Sequence, residues 1–192
     1  RWVQPAFLPG DTPPAPDELE AVLRQSAKAH KIADVEVAGF LSGGVDSAYL
    51  TALARPVRTY TISYAEPKYD ESFPARALAR SLGVRNRVRR ISPGEFWDAV
   101  PAVQYHMDEP LADAAAVALY FLNREAAKDV KVVLSGEGAD ELFGGYNIYR
   151  DPFTARWYDR LPPWLRAGLG AAASLLPPAR GVNFLVRRGM SL

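Results

Sequence analysis

A glycine-rich turn between an apolar run and a helical pattern constrains the fold of this chain most. The apolar run, Val35–Leu41, predicts a strand, and Val45–Ala54 predicts a helix. The glycines between them let the backbone approach a ligand closely, and the N–H groups at a helix start favour an anion. Asp46 would repel a phosphate unless a divalent cation lay between them, so it is a predicted Mg²⁺ ligand. The residues expected to surround a pyrophosphate are Ser42, Gly43, Gly44 and Ser47.

Three common loops of similar composition do not match this turn. A P-loop needs a lysine, and none lies between Lys31 and Lys68. The dinucleotide pattern G-x-G-x-x-G is absent here, and a nucleophile elbow fails because Gly39 lies three residues before Ser42. The remaining pattern, Ser-Gly-Gly-x-Asp-Ser, resembles the PP-loop of ATP pyrophosphatases, enzymes that cleave ATP between the α- and β-phosphates. The alternative is a strand-to-helix turn capped by serines.

Predicted strands and helices alternate along the chain. The strands are Val35–Leu41, Arg58–Ser63, Arg87–Ile91 and Val130–Leu134. The helices are Asp17–Lys31, Val45–Ala54, Ser72–Leu82, Pro93–Met107 with an interruption at Pro101, Asp113–Lys128 and one opening at Ala139–Phe143. Such alternation favours an α/β fold, a Rossmann-like parallel sheet with right-handed crossovers and strand order 3-2-1-4. Ligands bind such sheets where the order reverses, here between the first and fourth strands.

A second glycine-rich segment, Ser135–Tyr146, follows the fourth predicted strand. It holds four glycines and three acids within ten residues. Gly136 suits close approach to a base or ribose, Asp140 is a second predicted carboxylate for the cation, and Glu137 is expected to face the reacting centre. The alternative is a capped helix start whose acids are favoured by the helix dipole.

Together the two glycine-rich segments resemble the synthetase domain of glutamine-hydrolysing asparagine synthetase. Tyr69-Asp70-Glu71 and Asp108-Glu109-Pro110 also resemble family segments, and the resemblance covers about residues 33–150. Two positions depart from the family pattern. Ala48 stands where the family often has a second serine, and Asp113-Ala-Ala115 stands where it often has Asp-Pro-Ser. Neither departure removes a proposed phosphate or metal group.

The resemblance implies a fold of the adenine nucleotide α-hydrolase type and a ligase of the EC 6.3.5 class. Aspartate and ATP would form β-aspartyl-AMP and pyrophosphate, and ammonia would then displace AMP to give asparagine. ATP and Mg²⁺ are the implied cofactors, and ammonia would come from glutamine through an N-terminal glutaminase domain. The residues implied to contact the nucleoside are Leu41, Ile62, Ser135 and Gly136. The catalytic candidates are Glu137, Asp46 and Asp140, and Glu137 would orient the intermediate or take a proton from ammonia.

Other functions stay open at this point. A β-lactam synthetase-like enzyme would adenylate and then cyclise its substrate, and a truncated nucleotide-binding module would show no turnover. A GMP or NAD synthetase is disfavoured by Ser135–Tyr146. Asp70 and Glu71 are weaker candidates for contacting the amino group of aspartate. His106 is expected to be structural or solvent-facing, because zinc sites need three or four donors.

Composition limits the compartment and the partners. The 192 residues are 48% hydrophobic, carry a net charge of +1 and include no cysteine, which excludes a disulfide or a cysteine nucleophile within this chain. No apolar run is long enough to span a bilayer, and the arginines of residues 76–90 lack interleaved aromatics, so neither membrane nor nucleic acid is an expected partner. We expect a cytoplasmic enzyme, with homodimerisation left open.

We also expect a fragment, because the chain begins at Arg1 and lacks the glutaminase cysteine. By resemblance, a phosphate-binding lysine should come from chain that is absent here. The predicted divisions are a lead-in and first helix (1–32), an ATP-binding PP-loop core (33–150) and a truncated helical extension (151–192). The extension is expected to pack on the rest of a longer parent.

Overall fold

The computed structural model describes residues 15–146, 149, 158, 160–177 and 180–190. Residues 1–14 of the predicted lead-in and most of residues 147–159 lie outside this description. The chain divides into two compact units, residues 1–137 and 138–192, which are described separately below. The domain divisions predicted from the sequence stay predictions.

The first unit is built on one parallel sheet with the strand order β3-β2-β1-β4, as predicted. The strands are β1 (Val37–Phe40), β2 (Arg58–Tyr64), β3 (Arg85–Ile91) and β4 (Val132–Leu134). Gly39 of β1 pairs with Thr59 on one side and Leu134 on the other. The carboxyl ends of β1 and β4 are therefore neighbours, at the point where the strand order reverses.

Helices connect these strands. They are α1 (Pro16–Ala29), α2 (Val45–Ala54), α3 (Ser72–Leu82), α4 (Pro93–Met107) and α5 (Ala114–Ala126). A short 3₁₀ turn, Pro67–Tyr69, lies in the connection between β2 and α3. Asp113 caps α5, because its carboxylate accepts a hydrogen bond from the N–H of Ala115 at 2.9 Å.

The core lies on both faces of the central strand β1. All four residues of β1 are buried, as is typical of a strand inside a parallel sheet. Ala38 and Phe40 pack with Tyr60 and with Ala126 of α5. Leu41, which alternation places on the opposite face, packs with residues of α3. The loop that follows Leu41 is thus anchored to the sheet by a buried side chain.

A polar network joins β2 and β3 to the loop that precedes β4. The Asp129 carboxylate accepts hydrogen bonds from the Tyr60 hydroxyl at 2.9 Å and from Arg87 at 2.8 Å. The Tyr60 hydrogen bond, followed by the charge of Arg87, lowers the pKa of Asp129. Arg87 also pairs with Glu125 at 2.6 Å, and Arg89 pairs with Glu95. Acidic neighbours therefore hold two arginines of the basic stretch.

The predicted interruption of α4 at Pro101 is wrong, because α4 runs unbroken from Pro93 to Met107. A proline inside a helix removes one hydrogen bond and costs about 3 kcal/mol. The affected carbonyl belongs to Trp97, which is 70% exposed, so water can reach that face of the helix. A capping box between Ser92 and Glu95 and the buried side chains of Ala99 and Val103 stabilise the helix despite the proline.

Gly83→Ala is expected to destabilise the first unit by about 1 kcal/mol. Gly83 ends α3 with φ +68°, a left-handed conformation, and no described heavy atom lies within 4 Å of a Cβ placed there. The cost is therefore one of backbone strain without a clash. Gly94→Ala is the matched control, because Gly94 also has open space but lies in the first turn of α4. It should stabilise by about 0.5–1 kcal/mol. Thermal unfolding should show shifts of opposite sign, and a lower midpoint in both variants would contradict the interpretation.

The second unit contains a short helix and a pair of longer ones. These are α6 (Ala139–Phe143), α7 (Pro163–Ala173) and α8 (Arg180–Met190). α7 begins at Pro163, directly after its N-cap residue Pro162. The fully buried Tyr158 donates a hydrogen bond to the Arg166 carbonyl at 3.1 Å and packs edge-on against Phe184. Among the described residues, no helix has both the length and the hydropathy needed to span a bilayer.

Candidate functional site

The glycine-rich loop 42–44 leaves the sheet at the carboxyl end of β1 and leads directly into α2. Leu41 is the last residue held by the sheet, since its N–H donates to the Tyr60 carbonyl at 2.9 Å. Its own carbonyl accepts from the Thr61 hydroxyl at 2.7 Å. The loop therefore lies beside the neighbouring β4 end, at the edge where parallel α/β sheets bind ligands.

Two serines brace the loop from within. The Ser42 and Ser47 hydroxyl oxygens are 2.8 Å apart, the Ser42 N–H donates to Ser47 Oγ at 3.1 Å, and the Gly44 N–H donates to Ser42 Oγ at 3.1 Å. The N-cap of α2 is Gly44, and no side chain caps this helix. The serines thus stabilise the turn itself, and the first-turn N–H groups of α2, which have no acceptor inside the helix, face the loop. This arrangement suits an anion.

The N–H of Gly43 already has an anionic partner from another element. It donates to a carboxylate oxygen of Glu71 at 3.0 Å, across 28 residues of sequence. A Cβ at Gly43 would lie 2.9 Å from Cγ of Pro74 and 3.0 Å from Cβ of Glu71. The start of α3 is therefore packed against the glycine of the loop. Sequence reasoning missed this contact, and its one signal was the family-like segment that contains Glu71.

Asp70, the neighbour of Glu71, has a structural role. Its carboxylate accepts a hydrogen bond from the N–H of Ser72 at 3.0 Å, at the start of α3. That bond, together with a hydrogen bond from Ser63, lowers the pKa of Asp70. The predicted contact of Asp70 and Glu71 with the amino group of aspartate stays a prediction.

The loop after β4 lies against the start of α2. A Cβ at Gly136 would be 3.1 Å from the Ser47 nitrogen, 3.3 Å from the Asp46 carbonyl carbon and 3.4 Å from Asp46 Cβ. The structure therefore brings Gly136 together with Asp46 and Ser47, which the sequence assigned to one site. Beyond Gly136, the exposed Glu137 donates its N–H to Ser135 Oγ at 3.4 Å.

The two apolar residues predicted to contact a nucleoside are placed differently from the loop residues. Leu41 is 2% exposed and packs against Ala75 and Ala79, so its side chain belongs to the core below the loop. Ile62 is half-buried beside the cluster that contains Ile91. Their nucleoside contacts stay predictions.

In the second unit, Asp140 lies in the first turn of α6, whose N-cap is Gly138. The Asp140 carbonyl accepts the N–H of Gly145 at 3.0 Å, and a Cβ at Gly145 would collide with the Asp140 carboxylate at 1.9 Å. Glu141 accepts the Tyr146 hydroxyl at 2.7 Å, and this bond raises the pKa of Tyr146 to about 12. The Asp140 carboxylate therefore packs directly against Gly145, within its own unit.

A magnesium ion fits the chemistry of Asp46. Its exposed carboxylate lies in the first turn of α2, directly after the loop, and Mg²⁺ prefers oxygen ligands that include substrate phosphates. Within the described part of the chain, no three His, Cys, Asp or Glu side chains gather as a ready-made ligand set. Asp46 would therefore act with phosphate oxygens and water. His106 is exposed on α4, beside the ring of Tyr105.

Comparison with known proteins identifies strong relatives. The family model described as asparagine synthase matches residues 18–188. A putative glutamine-hydrolysing asparagine synthetase of Mycobacterium bovis is 46% identical over 92% of this chain, which spans 28% of that protein. Asparagine synthetase [glutamine-hydrolyzing] 1 of Bacillus subtilis is 39% identical over 90% of this chain, which again spans 28% of the relative. A solved glutamine-dependent NAD⁺ synthetase of Acinetobacter baumannii, in complex with ADP, has a TM-score of 0.46 at 20% identity, covering 71% of this chain and 29% of its own.

Proposed function

This chain belongs to the asparagine synthase family, and we propose that it is the ATP-binding part of a ligase that makes asparagine from aspartate. One observation supports this most. The Ser42–Ser47 segment forms the loop and the first turn of α2, at the point where the strand order of the sheet reverses, and Gly136 of the second motif packs against Asp46 and Ser47. A site for a nucleoside triphosphate is expected at this position in an open parallel sheet.

The proposed reaction has two steps. The β-carboxylate of aspartate attacks the α-phosphorus of ATP, forming β-aspartyl-AMP and releasing pyrophosphate. Ammonia then attacks the activated carbonyl and displaces AMP, which yields asparagine. Negative charge develops on the leaving pyrophosphate, so N–H groups that point towards it stabilise the transition state more than the ground state.

The residues of the loop have separable roles in this proposal. The N–H groups at the start of α2 and in the loop hold the pyrophosphate, and the Ser42–Ser47 hydrogen bonds keep the turn in shape. Mg²⁺ bound by Asp46 and Asp140 would supply positive charge beside the pyrophosphate. The exposed Glu137 orients the intermediate or accepts a proton from the attacking ammonia. Leu41, Ile62, Ser135 and Gly136 are proposed to border the nucleoside.

The relatives support proposals about the parent protein. They are named glutamine-hydrolysing, and this chain spans 28% of the length of the relatives from M. bovis and B. subtilis. We therefore propose that ammonia is supplied from glutamine by a glutaminase domain of the same parent. We propose a cytoplasmic location, where ATP and aspartate are available.

The test is an assay of this chain with ATP, Mg²⁺ and ammonium, with and without aspartate. Pyrophosphate that depends on aspartate, together with equal amounts of AMP and asparagine, is the expected result. ATP binding should be measured in parallel by calorimetry. Adenylation without asparagine would favour a different acceptor, such as the internal amine of a β-lactam synthetase-like reaction. Failure to bind ATP with or without Mg²⁺ would contradict the proposed function.

A further inference from the structure

The carboxylate of Glu71 occupies a hydrogen-bond donor of the loop that is proposed to hold pyrophosphate. The Gly43 N–H donates to Glu71 Oε2 at 3.0 Å. A carboxylate that accepts a backbone N–H makes a charge-assisted hydrogen bond, which is roughly twice as strong as a neutral one. A phosphate oxygen at this N–H would compete with a group of the same charge.

The position of Glu71 is set by tight packing and not by its own helix. Glu71 is the N-cap residue of α3, yet its side chain caps no N–H of that helix. Close approach of Gly43 to Cβ of Glu71 and Cγ of Pro74 leaves no room for a side chain on the loop. The carboxylate is exposed, so the side chain can rotate into solvent when another anion binds.

The charge of Glu71 also affects the pKa of a residue in β2. Tyr64, the last residue of β2, has a raised pKa, for which burial is the main cause and the negative charge of Glu71 the second. The negative charge thus lies between the end of β2 and the phosphate loop. In the described residues no lysine or arginine forms an ion pair with Glu71. Its charge is therefore free to act on an incoming anion.

We propose that Glu71 is an internal competitor for the pyrophosphate site, a positioning residue that must leave Gly43 before the phosphates of ATP bind. This inference depends on the proposed function, since it assigns a role within the same site. In the empty state Glu71 keeps the loop in its ligand-ready shape. In the occupied state the displaced carboxylate repels pyrophosphate, which weakens product binding and favours product release.

Glu71→Gln tests the proposal, because glutamine keeps the shape of the side chain and removes the charge. The variant should bind Mg²⁺-free ATP and inorganic pyrophosphate about three- to tenfold more tightly than the unaltered chain. Glu66→Gln is the matched control, since Glu66 is an exposed acid in the same connection between β2 and α3. It should change either affinity by less than about twofold. Calorimetry in EDTA measures both ligands, and circular dichroism verifies folding.

Glu71→Asp separates competition from repulsion. Aspartate keeps the charge but is one methylene shorter, so it withdraws from Gly43 and should tighten binding less than glutamine does. In NMR spectra without ligand, the Gly43 N–H resonance should move in both variants and stay unchanged in Glu66→Gln. If the Gly43 resonance does not move in Glu71→Gln, the hydrogen bond between Gly43 and Glu71 is absent in solution and the proposal is wrong.

Other outcomes distinguish this inference from the proposed function. Normal ATP and pyrophosphate binding by the unaltered chain, with equal or weaker binding by Glu71→Gln, would overturn the role of Glu71 alone. The ATP titration is repeated with Mg²⁺. If Glu71→Gln binds ATP like the unaltered chain in EDTA but more weakly with Mg²⁺, Glu71 acts as a metal ligand and the competitor role is overturned. Absence of ATP and pyrophosphate binding in all the chains would contradict the proposed function, and the competitor role would fall with it.

Discussion

In the presence of Mg²⁺, Asp46→Asn is expected to weaken ATP binding by about ten- to a hundredfold. The same substitution should leave ATP binding unchanged or make it tighter when EDTA removes the metal. The reason is electrostatic. An exposed carboxylate in the first turn of α2 repels bare phosphates, and this repulsion becomes attraction only when a divalent cation lies between them. The sign of the effect should therefore depend on the metal.

The measurement is the dissociation constant of ATP with and without Mg²⁺ for the unaltered chain, Asp46→Asn and Asp98→Asn. Asp98 is an exposed acid on α4, so its substitution controls for net charge. Loss of the Asp46 carboxylate from a helix N-terminus should also cost about 0.3–1 kcal/mol of stability, which thermal unfolding measures separately. An equal loss of affinity in both conditions would show that Asp46 maintains the loop and does not hold a metal.

Asp140→Asn examines the other proposed carboxylate in the same assay. If Asp140 also binds the cation, its substitution should weaken Mg²⁺-dependent binding and spare binding in EDTA. Gly145→Ala offers a different perturbation of the same side chain, because a Cβ there would displace the Asp140 carboxylate. Unchanged affinity in both variants would remove Asp140 from the metal site.

The strand order could be predicted because local signals agreed with one another. Each of the neighbouring strands β1 and β4 is a short apolar run followed by a glycine-rich turn, and helical patterns separate the strands along the chain. The bounds of α2 and α3 were also predicted correctly, since α2 directly follows Gly44 and α3 ends before the left-handed Gly83.

Boundaries decided by distant partners could not be predicted. β3 begins at Arg85, two residues before the predicted start, because Arg85 pairs with Arg58 of β2 although its side chain is polar. The continuity of α4 through Pro101 likewise depends on packing that a local pattern does not contain. In both cases tertiary contacts outweigh local preference.

In the candidate site, too, local features could be predicted and contacts between distant residues could not. The Ser42–Ser47 loop was visible in the sequence because its members lie within six residues. The Glu71 contact joins residues 28 apart, so no periodicity or motif could place that carboxylate on Gly43. The sequence predicts candidate residues for the chemistry, and their roles stay predictions, whereas the structure was needed to find the Glu71 carboxylate beside the loop.

Gly136→Ala is expected to weaken ATP binding by about fivefold or more, because overpacking by one methyl group typically costs about 1–3 kcal/mol. The added Cβ would lie 3.1 Å from the Ser47 nitrogen and 3.3 Å from the Asp46 carbonyl carbon. Both are backbone atoms of the first turn of α2, so they cannot rotate away as a flexible side chain would. The first turn must shift, and the N–H groups that are proposed to hold pyrophosphate shift with it.

Gly39→Ala is the control that separates site geometry from stability. Gly39 is buried within β1, and a Cβ there would lie 3.3 Å from Cγ of Pro56, away from the loop. Both variants should unfold at lower temperature, but only Gly136→Ala should lose ATP affinity when binding is measured well below either midpoint. Since Gly39 pairs with Leu134 and Gly136 follows Leu134 by two residues, equal losses of affinity would mean that general loosening of the sheet is sufficient. A loss confined to Gly136→Ala would instead show that the second motif keeps the start of α2 in its binding position through direct backbone contact.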